Sequence, residues 1–181
     1  MNITVKCIIR PKKIENEYQE VVPIEDFVRS SIISWKWWTC LALSVLPWIL
    51  WLIYDRRDYR KQRLYAGAVI ALISCILDAL GVTLGYWEYN VQLLPIPIGI
   101  LPYDFTLIPV IIMFMIKSDS IKQVFIKGSL FSFLTTYIGH PLFDQWLHFV
   151  NHTHWENSLS LPIYLLLYII ANWLFLKLSY R

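Results

Sequence analysis

The chain has 181 residues, of which 57% are hydrophobic, 16% aromatic and 16% charged. Because ordinary soluble domains are about half apolar and about a quarter charged, this composition favours a membrane protein over a soluble one. The formal net charge of +3 is too small to indicate a nucleic-acid partner. The three cysteines are far apart and match no metal-binding or redox pattern.

Residues 1–32 are interpreted as a polar N-terminal region. Alternating apolar residues between Ile3 and Ile9 suggest a short strand. Residues 21–33 mix apolar and charged side chains, in the manner of a short helix lying along a membrane interface. We expect no cleavable secretory signal, because this region stays polar up to the first apolar run.

The rest of the chain, 33–181, is predicted to be all-α, a polytopic membrane bundle of about five transmembrane helices. A helix needs about 20 mostly apolar residues to cross the hydrocarbon core. The predicted spans are, in chain order, about 33–54, 64–86, 101–116, 121–138 and 159–178.

The apolar, Pro-rich segment 93–100 precedes the third span, which is short. Backbone that is not helical survives at membrane depth only where protein or water satisfies its hydrogen bonds. We interpret 93–100 either as a re-entrant or interfacial lid over the bundle mouth or as an extended linker lying against the headgroups.

Basic residues alternate between the predicted loops. Residues 55–63 and 117–127 are rich in Lys and Arg, whereas 87–100 and 128–176 contain none. Because basic loops stay cytoplasmic, we expect a plasma-membrane protein with its N-terminus outside and its C-terminus in the cytoplasm. Basic residues in the N-terminal region oppose this orientation, although neighbouring acidic residues nearly balance them. The basic loop 56–63 is also expected to contact anionic lipid.

Asp78 lies on a stripe of small residues in the second predicted span. The stripe repeats every three or four residues and comprises Gly67, Ala71, Ser74, Asp78, Gly81 and Gly85. Helices approach closely along such faces in lipid. A carboxyl group at that depth is costly, so it usually faces a bundle interior or a wet cavity and indicates function. The alternative is that Asp78 hydrogen-bonds a neighbouring helix and fixes the bundle register.

Most unusual polar residues fall on the outward side of the predicted bundle. A ligand pocket is therefore predicted there, formed by Asp78, Trp87, Tyr89, Asp104, His140 and Asp144. If the pocket is catalytic, Asp78 and Asp104 are the acids. Asp104 also suits a helix start after Pro102, where an acid complements the helix dipole. Glu88 is expected to be a solvated interfacial residue.

His140, Asp144 and His148 are spaced four residues apart, which suits the ligation of a divalent metal from one helical face. Pro141 opposes a continuous helix, because it removes a hydrogen bond to the preceding turn. We therefore expect the fourth span to end near Gly139 and a new short helix to begin with Pro141. The alternative is a set of interfacial histidines that bind nothing. No other cofactor is expected.

Between 48 and 117 the chain resembles a family of uncharacterised small multi-pass membrane proteins of spore-forming bacilli and clostridia. The residues that carry the resemblance are the Asp55-Arg56-Arg57 turn, Asp78 with Gly81, Trp87-x-Tyr89, Pro95, Pro97, Pro102-Tyr-Asp104 and Pro109. The resemblance implies a plasma-membrane bundle of four or five helices and brings no assigned activity.

A second likeness is to lycopene-cyclase-type membrane domains. It rests on Trp87-Glu-Tyr89, Gly99 and Pro102-Tyr-Asp104. Those enzymes carry two adjacent acids at the helix start, where this chain has one. The likeness implies acid-driven chemistry on an isoprenoid.

These features favour a non-enzymatic accessory or sensory membrane protein with an outward-facing polar pocket. The first alternative is an intramembrane enzyme that acts on a lipid or isoprenoid by acid catalysis. The second is a small transporter or ion-conducting subunit. The expected partners are the lipid bilayer and either another membrane protein or a second copy of the chain.

Overall fold

The computed structural model describes residues 34–55, 57–91, 93 and 102–179. The predictions for the N-terminal region, and for the lid or linker at 94–100, lie outside the described residues.

Five α-helices make up most of the described chain, as the all-α prediction requires. Their bounds are α1 Trp35–Tyr54, α2 Arg60–Thr83, α3 Ile108–Met115, α4 Ile121–Leu134 and α5 Ser160–Ser179. A π-helical segment, Pro102–Leu107, leads into α3, and another, Thr135–Gly139, continues α4. By length and composition, α1, α2 and the helical stretch Asn157–Ser179 are each able to cross a membrane.

The chain passes Pro141 by widening its helical turns. The backbone N–H of His140 bonds to the carbonyl of Thr135, five residues back, as in a π-helix. A further π-helical turn, Leu142–Trp146, follows directly. Because Pro141 has no N–H to donate, the regular α-helical bonding pattern cannot run through it. Helix α4 ends at Leu134, and the chain stays helical beyond Gly139, mostly in π turns, as far as Trp146.

A small antiparallel sheet joins two connections that are distant in sequence. Strand β1, Trp87–Tyr89, follows α2, and strand β2, Val150–His152, precedes α5. In the sheet register, Trp87 lies opposite His152 and Tyr89 lies opposite Val150. His152 therefore lies in a strand rather than in an irregular loop. Each strand has only three residues, which is too short for an alternating pattern to predict.

The main core lies where α5 packs against α2 and α4. Buried residues of this cluster include Ile70, Ile112, Phe131 and Tyr168. In contrast, only 11% of the apolar window of α1 is buried, against 39% for α2. Helix α1 contacts the others mainly through the segment Pro102–Leu107, and most of its apolar surface faces outward.

A buried ion-pair network closes the end of the bundle where α1 joins α2. The Arg63 guanidinium donates to both carboxylate oxygens of Asp55, from Nε at 2.9 Å and from Nη2 at 3.1 Å. Arg57 donates to the same carboxylate at 2.7 Å. Burial favours the neutral carboxyl, but the two guanidinium groups outweigh it and hold the pKa of Asp55 below its ordinary value.

The same network satisfies the C-terminus of α3. Arg57 donates to the carbonyls of Met113 and Phe114 at 2.9 and 3.0 Å. Lys127 of α4 donates to the carbonyl of Met115. These cations pair with helix carbonyls that have no partner within the helix. All described Lys and Arg residues except Lys36 lie at or within two turns of this end, which we call the basic end.

Candidate functional site

A partly open cavity of about 240 Å³ lies at the end of the bundle opposite the basic end. Its wall consists of the last turns of α2, the segment before α3, the chain just after α4, the start of α5 and residues of both strands. A single water needs only about 10–15 Å³ of such space. The cavity is therefore large enough for a small organic molecule.

Five of the six residues predicted for a ligand pocket line this one cavity. They are Asp78, Trp87, Tyr89, Asp104 and His140. The sixth, Asp144, does not line it but lies 3.3 Å from Nδ1 of His152, which does. The structure therefore gathers side chains from α2, from β1, from the segment before α3 and from the chain just after α4.

Asp78 is held by two donors from strand β1. Its Oδ1 accepts a hydrogen bond from Nε1 of Trp87 at 3.0 Å and another from the hydroxyl of Tyr89. Most of the small-residue stripe on α2 is buried, so the face that carries Asp78 does point into the bundle. Burial, then the nearby carboxyl groups of Asp104 and Asp78, raises the pKa of Tyr89 well above its ordinary value. Tyr89 therefore stays a hydrogen-bond donor at neutral pH.

Gly81 makes the position of Trp87 possible. A Cβ atom at residue 81 would lie 2.0 Å from the Cη2 and Cζ2 atoms of the Trp87 indole, far inside van der Waals contact. The indole therefore lies flush against the α2 backbone, one turn beyond the carboxyl group of Asp78 that it bonds.

Asp104 faces the cavity from the π-helical segment before α3. Only 8% of the residue is exposed, and its Oδ1 accepts a hydrogen bond from Oγ of Ser74 at 2.6 Å. We expected Asp104 to complement a helix dipole. Asp104 does lie in the first turn of a helical segment that begins at Pro102, and its side chain also bonds across to α2, on the same stripe that carries Asp78.

His140 begins a chain of hydrogen bonds on the opposite wall. Its Nδ1 lies 3.2 Å from Oδ1 of Asn157, and its Nε2 lies 2.8 Å from the hydroxyl of Tyr164. Tyr164 lies 3.3 Å from the hydroxyl of Tyr103. Burial lowers the pKa of His140 to about 4, so its ring is neutral at pH 7. Since an amide oxygen only accepts, Nδ1 of the neutral ring carries the proton and Nε2 accepts from Tyr164.

An aromatic group forms the remaining wall. The rings of Trp87 and Trp155 meet edge to face with centroids 5.4 Å apart, and Tyr86 lies 5.2 Å from Trp155. Nε1 of Trp155 donates to Oγ of Ser160 at 2.8 Å, which orients the indole. The wall is thus apolar and electron-rich, and it lies beside the Asp78 carboxyl group.

The predicted metal ligands do not converge. His148 is exposed, with a left-handed φ of 52°, because the chain leaves the helix after Trp146 and the four-residue spacing no longer keeps one face. His140 instead stacks on His152, with ring centroids 5.3 Å apart. Across the described ranges of the chain, no group of three His, Cys, Asp or Glu side chains is placed to hold a metal ion. The prediction of a metal site from His140, Asp144 and His148 was therefore wrong.

Sequence reasoning missed several side chains that shape the cavity. Ser74 stood on the small-residue stripe, and that position was the available signal. Tyr103 lies between Pro102 and Asp104 and carried no signal of its own. Tyr164 is one tyrosine in an apolar helix, which gives no indication that it bonds a histidine from another helix.

Comparison with protein-family models, with curated proteins and with solved structures found no match to this chain. The site itself must therefore indicate the chemistry. It combines two buried carboxyl groups, a neutral imidazole and an aromatic wall in a mostly apolar space. Such a site can bind an apolar body that carries one polar or charged group.

Proposed function

We propose that the chain is a plasma-membrane protein of about five spans, with its N-terminus outside and its C-terminus in the cytoplasm. The concentration of Lys and Arg at the basic end supports the orientation, because such residues stay cytoplasmic. The cavity then opens to the outside. Membership of the bacillal and clostridial family of multi-pass proteins stays a prediction.

We further propose that the protein binds a small, largely apolar molecule in the cavity and acts as a non-enzymatic accessory or sensory protein. One observation carries this proposal: Asp78 and Asp104, from separate segments, line one mostly apolar cavity. Buried ionisable groups in a membrane bundle are costly and are retained mainly for function. Two of them at one cavity favour a ligand over a purely structural role.

Filling the cavity tests the proposal. Ile163→Trp on α5 places a large ring into the lining, whereas Leu166→Trp places the same ring on a surface of α5 that is 57% exposed. We expect native mass spectrometry of the protein purified in nanodiscs to find a bound small molecule. Ile163→Trp should reduce its occupancy at least tenfold, and Leu166→Trp should leave it unchanged. Equal occupancy in both variants, or no bound molecule in the wild type, would contradict a ligand-binding cavity.

The role of the Asp78 carboxyl group is tested by a matched pair of isosteric changes. Asp78→Asn keeps the shape but weakens the hydrogen bonds from Trp87 and Tyr89, whereas Glu88→Gln changes a neighbouring acid that does not line the cavity. We expect Asp78→Asn to lower occupancy about tenfold and Glu88→Gln to have little effect. Equal, negligible effects of the two changes on occupancy would show that Asp78 has a structural role only.

An intramembrane enzyme acting on a lipid or isoprenoid is the second candidate. The placement of both Asp78 and Asp104 beside an apolar space favours it, since acid catalysis on a greasy substrate needs a sheltered proton donor. Overproduction should then change the cellular lipid profile, and Asp104→Asn should abolish that change. An unaltered lipid profile would contradict the enzymatic proposal and would not affect the binding proposal.

A further inference from the structure

We propose that the ligand of the cavity is an organic cation, an amine or quaternary ammonium group on an apolar body. This inference rests on the proposed function, because it names the chemical class of the molecule that the cavity binds. It follows from the charges, the unpaired atoms and the aromatic wall of the site.

Buried carboxyl groups have different charged partners at the two ends of the bundle. At the basic end, Asp55 is almost completely buried and has two guanidinium partners at 2.7 and 2.9 Å. At the cavity, Asp78 and Asp104 are also buried, yet no Lys or Arg is among the described residues that line it. A buried carboxylate is stable only with a compensating charge. Without one, a buried carboxyl group stays neutral, so Asp78 and Asp104 can ionise beside a cation that enters the cavity, and none of the described lining residues supplies that cation.

In the part of the chain that the structure describes, one oxygen of each cavity carboxyl group has no partner. The hydrogen bonds that Asp78 and Asp104 accept from described residues go to Oδ1. Within the described ranges, neither Oδ2 atom has a protein hydrogen-bond partner. Because Asp104 is more than nine-tenths buried and lines the cavity, its free oxygen is an acceptor available to a bound molecule.

The aromatic wall suits the same class of ligand. Trp87 and Trp155 are the best ring type for cation–π contacts, and Tyr86 lies against Trp155. The Trp87 indole also bonds Asp78, so a cation beside the carboxylate would lie near the ring. His140 is neutral at pH 7 and does not repel a cation.

Cation binding should be linked to proton release. A neutral carboxyl group that receives the cation gives its proton to solvent, and the resulting carboxylate pairs with the ligand. The other titratable groups that line the cavity are Tyr86, Tyr89, Tyr103, His140, His152 and Tyr164. Of these, His152 already has its own partner in Asp144. Affinity should therefore fall as the pH is lowered.

A matched pair of probes tests the inference. Benzyltrimethylammonium and neopentylbenzene have the same shape and differ in charge. We expect labelled benzyltrimethylammonium to bind saturably to the full chain in nanodiscs of zwitterionic lipid. Neopentylbenzene should displace it at least tenfold more weakly than unlabelled cation does.

The carboxyl group is tested with variants and with pH. Asp104→Asn should weaken cation binding at least tenfold, and Glu88→Gln should leave it unchanged. Affinity should fall from about pH 8 to about pH 5, and should still do so in His152→Gln.

The outcomes separate this inference from the proposed function. Equal affinities for the two probes, or cation binding that survives Asp104→Asn, would overturn the cationic ligand while the cavity remains a binding site. No saturable binding of benzyltrimethylammonium would overturn it as well. The occupancy measurement with Ile163→Trp and Leu166→Trp decides the binding function independently, because it assumes no charge on the ligand.

Discussion

Asp55→Asn is expected to lower the free energy of unfolding by about 3 kcal/mol. The substitution keeps the shape of the side chain but leaves Arg63 buried without its compensating charge. It also frees Arg57, which holds the C-terminus of α3. Unfolding can be followed by circular dichroism while SDS is titrated into mixed micelles of the purified protein.

Asp58→Asn is the matched control, because Asp58 is exposed in the same turn. We expect it to change stability by less than about 0.5 kcal/mol. A loss of similar size in both variants would show that the ion-pair network does not stabilise the fold.

The contribution of Asp55 should depend on pH in a defined direction. Its pKa is lower in the folded protein than in the unfolded chain. Its stabilising contribution is therefore fully present above the unfolded pKa and is lost as the pH falls through the folded value. The difference between wild type and Asp55→Asn should shrink at acid pH.

Gly81→Ala is expected to disrupt the cavity and to cost about 2 kcal/mol of stability. The added methyl group would overlap the Trp87 indole, a rigid ring that packs against α2 at Gly81 and has no flexible end to move aside. Trp87 would have to leave, and its hydrogen bond to Asp78 would be lost. Ligand occupancy should fall at least tenfold, and tryptophan fluorescence should shift to longer wavelength as the indole meets water.

Gly67→Ala serves as the comparison on the same helix. Its new methyl group meets Sδ of Met113 at 2.4 Å, at the flexible end of a side chain that can rotate. We expect a smaller loss of stability and no change in occupancy or fluorescence. If the two alanine variants behaved alike, the contact between Gly81 and Trp87 would have no special role in the site.

The position of Asp78 was predictable because charge in an apolar helix is rare and the residues around it are small. The sequence also predicted Asp104 as a pocket residue, but not how its side chain is held. A proline two residues before an acid indicates a helix start, and nothing in the sequence shows that the first turns are π-helical and aim the carboxyl group at Ser74. Long apolar segments were predictable from composition, whereas short-range geometry at their ends was not.

The histidines show why residue spacing failed. A four-residue repeat indicates one face only while the chain remains α-helical. Pro141 and the π turns around it change the angle per residue, and His148 then adopts a left-handed backbone conformation. The partner that His152 finds across the sheet, and its stacking on His140, depend on long-range pairing that no local pattern contains.

One residue of the basic loop has a role that the sequence did not indicate. Its Lys and Arg residues were interpreted as a topology signal, which concerns only the side of the membrane on which they lie. Arg63 is 2% exposed and pairs with Asp55. Sequence alone does not distinguish an arginine that snorkels to lipid headgroups from one that closes a bundle.

The pairing of β1 with β2 has a consequence for biosynthesis. Strand β1 leaves the ribosome together with α2, but its partner emerges only after α3 and α4 have been made. A growing chain that ends with α4 carries Asp78 and Asp104 without His140 or the first turn of α5. Assembly of the recess therefore waits for α5, so a chain truncated before α5 would retain its earlier helices and lack a complete cavity.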